Sequence, residues 1–264
     1  MCGCSAMTST IYYNGQEYQK RTAGDSMKGF CAATAVSGAV LAPLPLLSKP
    51  FQNQLAKELP NNPLYKDAFI KSLDVSGLKD KGVHIVEAQN KIGIPSGFAN
   101  GKNACFIPDT KTVLINTDKI SIAGFHELGH AMNNLMSKYG LKFLQKMRGP
   151  GYAIAGLMEY FAIFSRTKPK GSPRGFTDVV EDNCGKIAFL AMLPVVAEEA
   201  IASYRGIKLA RKAGLAEPLI KNMKKLLAKA LLTYGGRAVL GGVAVYASRK
   251  VMDYYTRPKA IEYA

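Results

Sequence analysis

Ile122-Ala123-Gly124-Phe125-His126-Glu127-Leu128-Gly129-His130-Ala131 is a run of apolar and small residues interrupted by three polar ones. An α-helix repeats every 3.6 residues, so His126 and His130, four apart, share one face and can aim both imidazoles at a single point. The spacing predicts a helix over about 120–138, entered through the N-capping residues Asn116-Thr117-Asp118. Small and apolar neighbours on both sides of the pair predict a helix packed on more than one side, the setting for a buried site.

Two histidines at i and i+4 with a glutamate after the first form the His-Glu-x-x-His pattern, which provides two zinc ligands and a general base. Zinc lowers the pKa of a bound water, and Glu127 is placed to take its proton. The chain has three histidines and two fall in this motif. The third, His84, lies on a predicted strand and reads as structural. One zinc ion needs a third protein ligand and an open position. No histidine follows at the short spacing seen in some zinc peptidases, since positions 133 and 136 are Asn133 and Met136. The third ligand is therefore expected to be a carboxylate. Glu198 and Glu199, at the end of an apolar stretch, are the candidates, because burying a carboxylate there is costly unless it is paired or bound to metal.

Around this centre the chain reads as mainly α with a small β-sheet ending in a hairpin, an α+β protein. Residues 1–28 are expected to be a flexible tail and 29–264 a single domain. Residues 50–80 show helical spacing interrupted by Pro60-Asn61-Asn62-Pro63. Between 82 and 117, Val83-His84-Ile85-Val86, Ala104-Cys105-Phe106-Ile107 and Thr112-Val113-Leu114-Ile115 read as strands, with Pro108-Asp109-Thr110-Lys111 as the turn. Apolar helices are expected at 29–47, 151–166, 187–203 and 226–247. None is a clean run of about 20 apolar residues. They are either core helices or membrane helices that carry functional polar groups, such as Glu159 and the Glu198-Glu199 pair.

The net charge of +16 decides which setting is favoured. Basic residues cluster at the ends of apolar stretches, as in Arg205 to Lys212 and Lys221 to Lys225, which suits membrane flanks and an anionic lipid surface. No groove-reading motif or aromatic interleaving accompanies them, so nucleic acid is not expected as a partner. The five scattered cysteines include no Cys-x-x-Cys pair, which points to reduced thiols. The first apolar run begins too far in, and carries Pro43 and Pro45, for a cleavable signal peptide. If 151–166 and 187–202 both cross a bilayer, the motif and the Glu pair lie on one side, and the basic segment 205–225 puts that side in the cytoplasm. The alternative is a soluble cytoplasmic protein whose apolar helices form its core.

Over residues 100–206 the chain resembles the membrane-associated zinc peptidases that include the CAAX prenyl proteases and the HtpX-type stress proteases. Their pattern is a strand opening Asn-Ala, then His-Glu-x-x-His, then Glu-x-x-Ala-Asp followed by a glycine. Here Asn103-Ala104 opens the first hairpin strand, His126 to His130 follow, and Glu199-Ala200-Ile201-Ala202-Ser203 precedes Gly206. The resemblance selects Glu199 as the third ligand beside His126 and His130. Ser203 stands where the family has an aspartate that orients a liganding histidine. It implies a gluzincin-type zinc metalloendopeptidase with Glu127 as base and a peptide or protein substrate. An extended substrate would add to an edge strand at Asn103, Ala104, Cys105 and Phe106. Tyr204 and Arg205 are the nearest groups to stabilise an oxyanion. A chain that keeps such a fold without catalysis, as a membrane or scaffold protein, is the alternative.

Overall fold

A computed structural model describes residues 10–46, 49, 63–87, 104–115, 122–137, 139–165, 167–169 and 171–262. The fold is mainly helical with two small sheets. The chain divides into two compact units, where a single domain was expected: one of residues 1–43, 152–192 and 237–264, the other of 44–151 and 193–236.

In the first unit, residues 10–28 of the expected flexible tail are structured, and 1–9 lie outside the described residues. Strands β1 (Thr10–Tyr13) and β2 (Gln16–Gln19) form an antiparallel hairpin, and β6 (Lys259–Ala260) pairs with β2. The turn is Asn14-Gly15, both with positive φ (49° and 74°), the tight hairpin turn that these two residues favour. The composition of the segment masked this short-range signal. Helix α1 (Ala23–Leu41) starts earlier than the apolar run, because Thr22 and Asp25 close a reciprocal capping box. Helix α5 (Arg148–Phe164) from Tyr152 onward, α6 (Phe176–Asp182), the first part of α7 (Cys184–Lys212) and the last part of α8 (Glu217–Thr256) complete the unit. Met158, Ala162, Cys184, Ala188 and Val245 form its apolar cluster. A Cβ on Gly185 would lie 2.6 Å from the Gly242 carbonyl oxygen, so α7 and α8 approach backbone to backbone, as small residues permit in membranes. Glu159 is half-buried and accepts from Ser248 Oγ at 3.2 Å.

Three helical segments are long and apolar enough to cross a membrane: Ala23–Leu46, Cys184–Lys212 and Glu217–Thr256. Only 11%, 33% and 22% of their most apolar windows is buried within the described protein, so most of their apolar surface is left without protein cover. The expected helices at 187–203 and 226–247 are inner parts of these segments, and the one at 29–47 falls in the first of them up to Leu46, with Leu47 outside the described residues. The one expected at 151–166 is α5, a shorter helix. Pro194 lies inside α7 without ending it.

The second unit holds α2 (Pro63–Ser76), a sheet of β3 (His84–Glu87), β5 (Thr112–Ile115) and β4 (Cys105–Ile107) in that order, then α3 (Ile122–Leu135) and α4 (Tyr139–Lys146). The hairpin β4–β5 is antiparallel, β3 joins β5 in parallel, and β4 is left on an edge. The predicted N-cap residues 116–118, and the sequence before Pro63 from 51, lie outside the described residues. Phe125 and Leu128 of α3 are fully buried in one cluster with Phe69, Val113, Ile115, Leu209, Ile220 and Met223. Phe69 and Phe125 meet edge to face at 5.7 Å. This core fastens the back of α3 and leaves the His126 and His130 face toward α7.

The two helices touch at glycines. A Cβ on Gly129 would lie 2.0 Å from the Ala202 carbonyl oxygen, and one on Gly206 would lie 2.5 Å from the Phe125 carbonyl oxygen. Gly129→Ala is expected to destabilise the protein by about 1–3 kcal/mol through forced separation of the helices. Gly156→Ala, where a Cβ meets nothing within 4 Å, is expected to be neutral or stabilising. Thermal unfolding followed by circular dichroism in detergent checks both; an unshifted midpoint for Gly129→Ala would refute the close approach.

Candidate metal centre

The crossing of α3 and α7 brings three of the predicted ligands together. His126 Nε2 lies 3.0 Å from Glu199 Oε2 and 3.0 Å from His130 Nε2, and His130 Nε2 lies 3.7 Å from Glu199 Oε2. An ion bound tetrahedrally at zinc distances holds its donors about 3.4 Å apart, so the spacing fits one zinc-sized ion. His130 and Glu199 are buried and His126 is half-buried.

Each imidazole is oriented through its other nitrogen. His130 Nδ1 lies 2.8 Å from Glu198 Oε1, and His126 Nδ1 lies 3.1 Å from Ser203 Oγ. A carboxylate accepts only, so His130 Nδ1 carries the hydrogen and leaves Nε2 with a bare lone pair. With His126 Nδ1 donating to Ser203, its Nε2 is bare as well. Two lone pairs and a carboxylate oxygen then face one another at contact distance, an arrangement that calls for a cation between them. Burial acts to lower the proton affinity of His130, but the Glu198 hydrogen bond and the charges of Glu127, Glu198 and Glu199 outweigh it and raise its pKa above the ordinary imidazole value. The negative potential that favours a proton there favours a metal ion equally.

Glu198 and Glu199 are adjacent and fully buried, 0% and 1% exposed. On a helix, neighbours point about 100° apart, so both do not reach one point. Glu199 goes to the cluster, and Glu198 orients His130. Arg148 compensates both: Nη1 lies 3.1 Å from Glu198 Oε2, and Nη2 lies 2.7 Å from Glu199 Oε1. Asn133 Nδ2 donates to Glu198 Oε1 at 3.1 Å. The guanidinium occupies one oxygen of Glu199 and leaves Oε2 for the cluster.

Glu127 sits outside this ring of contacts. Its Oε2 accepts the main-chain N–H of Phe106 at 2.8 Å. Phe106 is the middle residue of edge strand β4, and its N–H points away from β5 toward the site. Cys105 lies beside it, and burial followed by the charge of Glu127 pushes its thiol pKa up, so it is kept as a thiol. Ala104 is half-buried just before the strand. Asn103 lies outside the described residues.

Other candidates are not brought to the cluster. Tyr204 is 64% exposed. Arg205 Nη1 donates to Ser137 Oγ at 2.6 Å. His84 is exposed on β3, and its main-chain N–H donates to the Lys111 carbonyl. The sequence reading missed Arg148, which looked like one more basic flank of an apolar run. The signal available was the Glu198-Glu199 pair itself: helix neighbours point about 100° apart, so one ion meets one carboxylate and the other, if buried, needs a cation of its own.

No known protein-family model, curated protein or solved structure matches this chain.

Proposed function

We propose that the chain is a membrane-associated zinc metalloendopeptidase with Glu127 as its general base. The observation that carries this reading is the convergence of His126, His130 and Glu199 beside a glutamate held by β4, an edge strand among the described residues. When bound, zinc supplies a Lewis acid at the cluster and lowers the pKa of a water molecule there. Oε2 of Glu127 is engaged by Phe106, so Oε1 is the atom that takes the proton of the water and returns it to the leaving amine. An extended peptide adding to β4 runs past this carboxylate, and the two-residue alternation of a strand puts the main chain of Ala104 and Phe106 on that same edge. Ser203 and Glu198 hold the imidazoles, and Arg148 holds Glu199. Three apolar segments with little protein cover support a membrane setting. The basic run 205–225, at the end of α7 that carries Glu199, supports a cytosolic active site.

Glu127→Gln is expected to keep one zinc per chain, measured by elemental mass spectrometry, and to lose about 10²–10⁴-fold in cleavage of a peptide library. Full activity in that variant would remove the base from the mechanism. His126→Ala is expected to lose stoichiometric zinc; retention of the ion would overturn the site as a whole.

The two carboxylates have separable roles. Glu199→Gln is expected to abolish stoichiometric zinc binding, whereas Glu198→Gln and Arg148→Met weaken it by about 10–100-fold in chelator competition. The reverse order for Glu198 and Glu199 would exchange their assignments.

Sidedness is tested with Lys221→Cys in a chain whose native cysteines are serine. An impermeant thiol reagent is expected to label it in inverted vesicles and not in right-side-out ones. Labelling only in right-side-out vesicles would place the basic run outside the cytosol.

A further inference from the structure

A cavity of about 540 Å³ lies between the N-terminal turns of α1 and the C-terminal end of α8 with β6, all within the first unit. It shares no residue with the histidine cluster. Five cationic side chains line it: Arg21, Lys28, Lys250, Arg257 and Lys259. Two carboxylates, Asp25 and Asp253, stand among them, so the lining carries a surplus of positive charge. Asp25 caps α1 through Thr22. Asp253 is shared between Arg249 and Arg257 and accepts from Thr167 Oγ1. Among the described residues, Lys28, Lys250 and Lys259 make no ion pair within 4 Å, although Lys28 lies close enough to Asp25 to act on its charge. The ammonium of Lys250 instead sits 5.4 Å from the centre of the Tyr246 ring.

A concave site of this size with surplus, unpaired positive charge is built for an anion. Its place in the chain narrows the choice. Both flanking helix ends belong to segments long and apolar enough to cross a membrane, so the cavity lies where a span emerges into the headgroup layer. Tyr254 and Tyr255 line the same cavity, and tyrosine is the side chain that favours this level of a bilayer. We propose that this cavity binds the phosphate of an anionic lipid headgroup. The proposal rests on the membrane reading of α1 and α8 and is independent of peptidase activity.

The test uses the full chain, purified in uncharged detergent and reconstituted into nanodiscs of phosphatidylcholine alone or mixed with phosphatidylglycerol. Retained lipid is counted by native mass spectrometry, and stability is read from thermal unfolding. Wild type is expected to retain phosphatidylglycerol preferentially and to unfold at a higher temperature in the mixed discs. The triple substitution K28Q/K250Q/K259Q is expected to lose that preference by about tenfold or more, from three lysines near a charged surface. It should still unfold like wild type in phosphatidylcholine, and K28R/K250R/K259R should restore the preference. Excess inorganic phosphate is expected not to displace the lipid.

Four results would overturn the proposal. One is an unchanged preference in the glutamine variant. Another is an equal loss in the control K221Q/K224Q/K225Q, which would mean bulk charge alone. A third is ready displacement by inorganic phosphate, which would make the cavity a site for a soluble anion. The last is failure of wild type to enter phosphatidylcholine discs, which would remove the membrane reading beneath the proposal while leaving zinc binding and peptide cleavage to be judged separately.

Discussion

The close approach of α3 and α7 is the constraint on which the candidate metal centre depends. At Gly129 the two backbones are so near that even a methyl group has no room, and Gly206 repeats the condition one turn on. Imidazole and carboxylate side chains have short reach. Two histidines on one helix and a glutamate on another meet within bonding range of one ion only when their helix axes are drawn together. The apolar cluster behind Phe125 and Leu128 supplies the force, and the glycines remove the obstacle. Packing and chemistry are thus two consequences of one contact.

The electrostatics follow from the same geometry. Bringing α7 against α3 buries two adjacent carboxylates, which would be strongly unfavourable alone. The helical rotation between neighbours separates their tasks, and the guanidinium of Arg148 spans the two with one nitrogen for each. This arrangement also clarifies Ser203. A hydroxyl there still reaches the Nδ1 of His126, so that imidazole keeps an orienting partner without adding another negative charge to a site that already holds three glutamates. An aspartate at that position would orient more firmly and raise the accumulated charge further.

Much of the centre was legible because it depends on local periodicity. The spacing of His126 and His130 needs no knowledge of the fold, and the β4–β5 hairpin was readable from two apolar runs about a proline-initiated turn. The choice of Glu199 over Glu198 came from a motif match, and helix rotation supplies its physical reason. Arg148 was not legible, because a guanidinium that reaches carboxylates 50 residues away looks, in sequence, like any solvated cation. The N-terminal hairpin was misread for a different reason. Its Asn14-Gly15 turn is a strong local signal, but it sat in a polar segment whose composition resembles an unstructured tail. The long helices extend beyond their apolar runs because capping at Thr22 and backbone continuity through Pro194 set their ends, not hydropathy.

The pairing of β2 with β6 has a consequence for how the molecule is made. Tyr18 lies opposite Ala260, so β2 waits for a strand made much later in synthesis. Until Lys259 and Ala260 emerge, β2 presents an open edge of unpaired main-chain groups, and α1 has to hold its place without the segment that later closes beside it. Loop closure over such a separation is slow, and a segment waiting with its edge exposed is vulnerable to pairing with a neighbouring chain. Biogenesis of this protein therefore has a step that joins two strands far apart in sequence, and a nascent chain stalled before β6 would carry the candidate metal ligands in full yet lack the strand that pairs with β2.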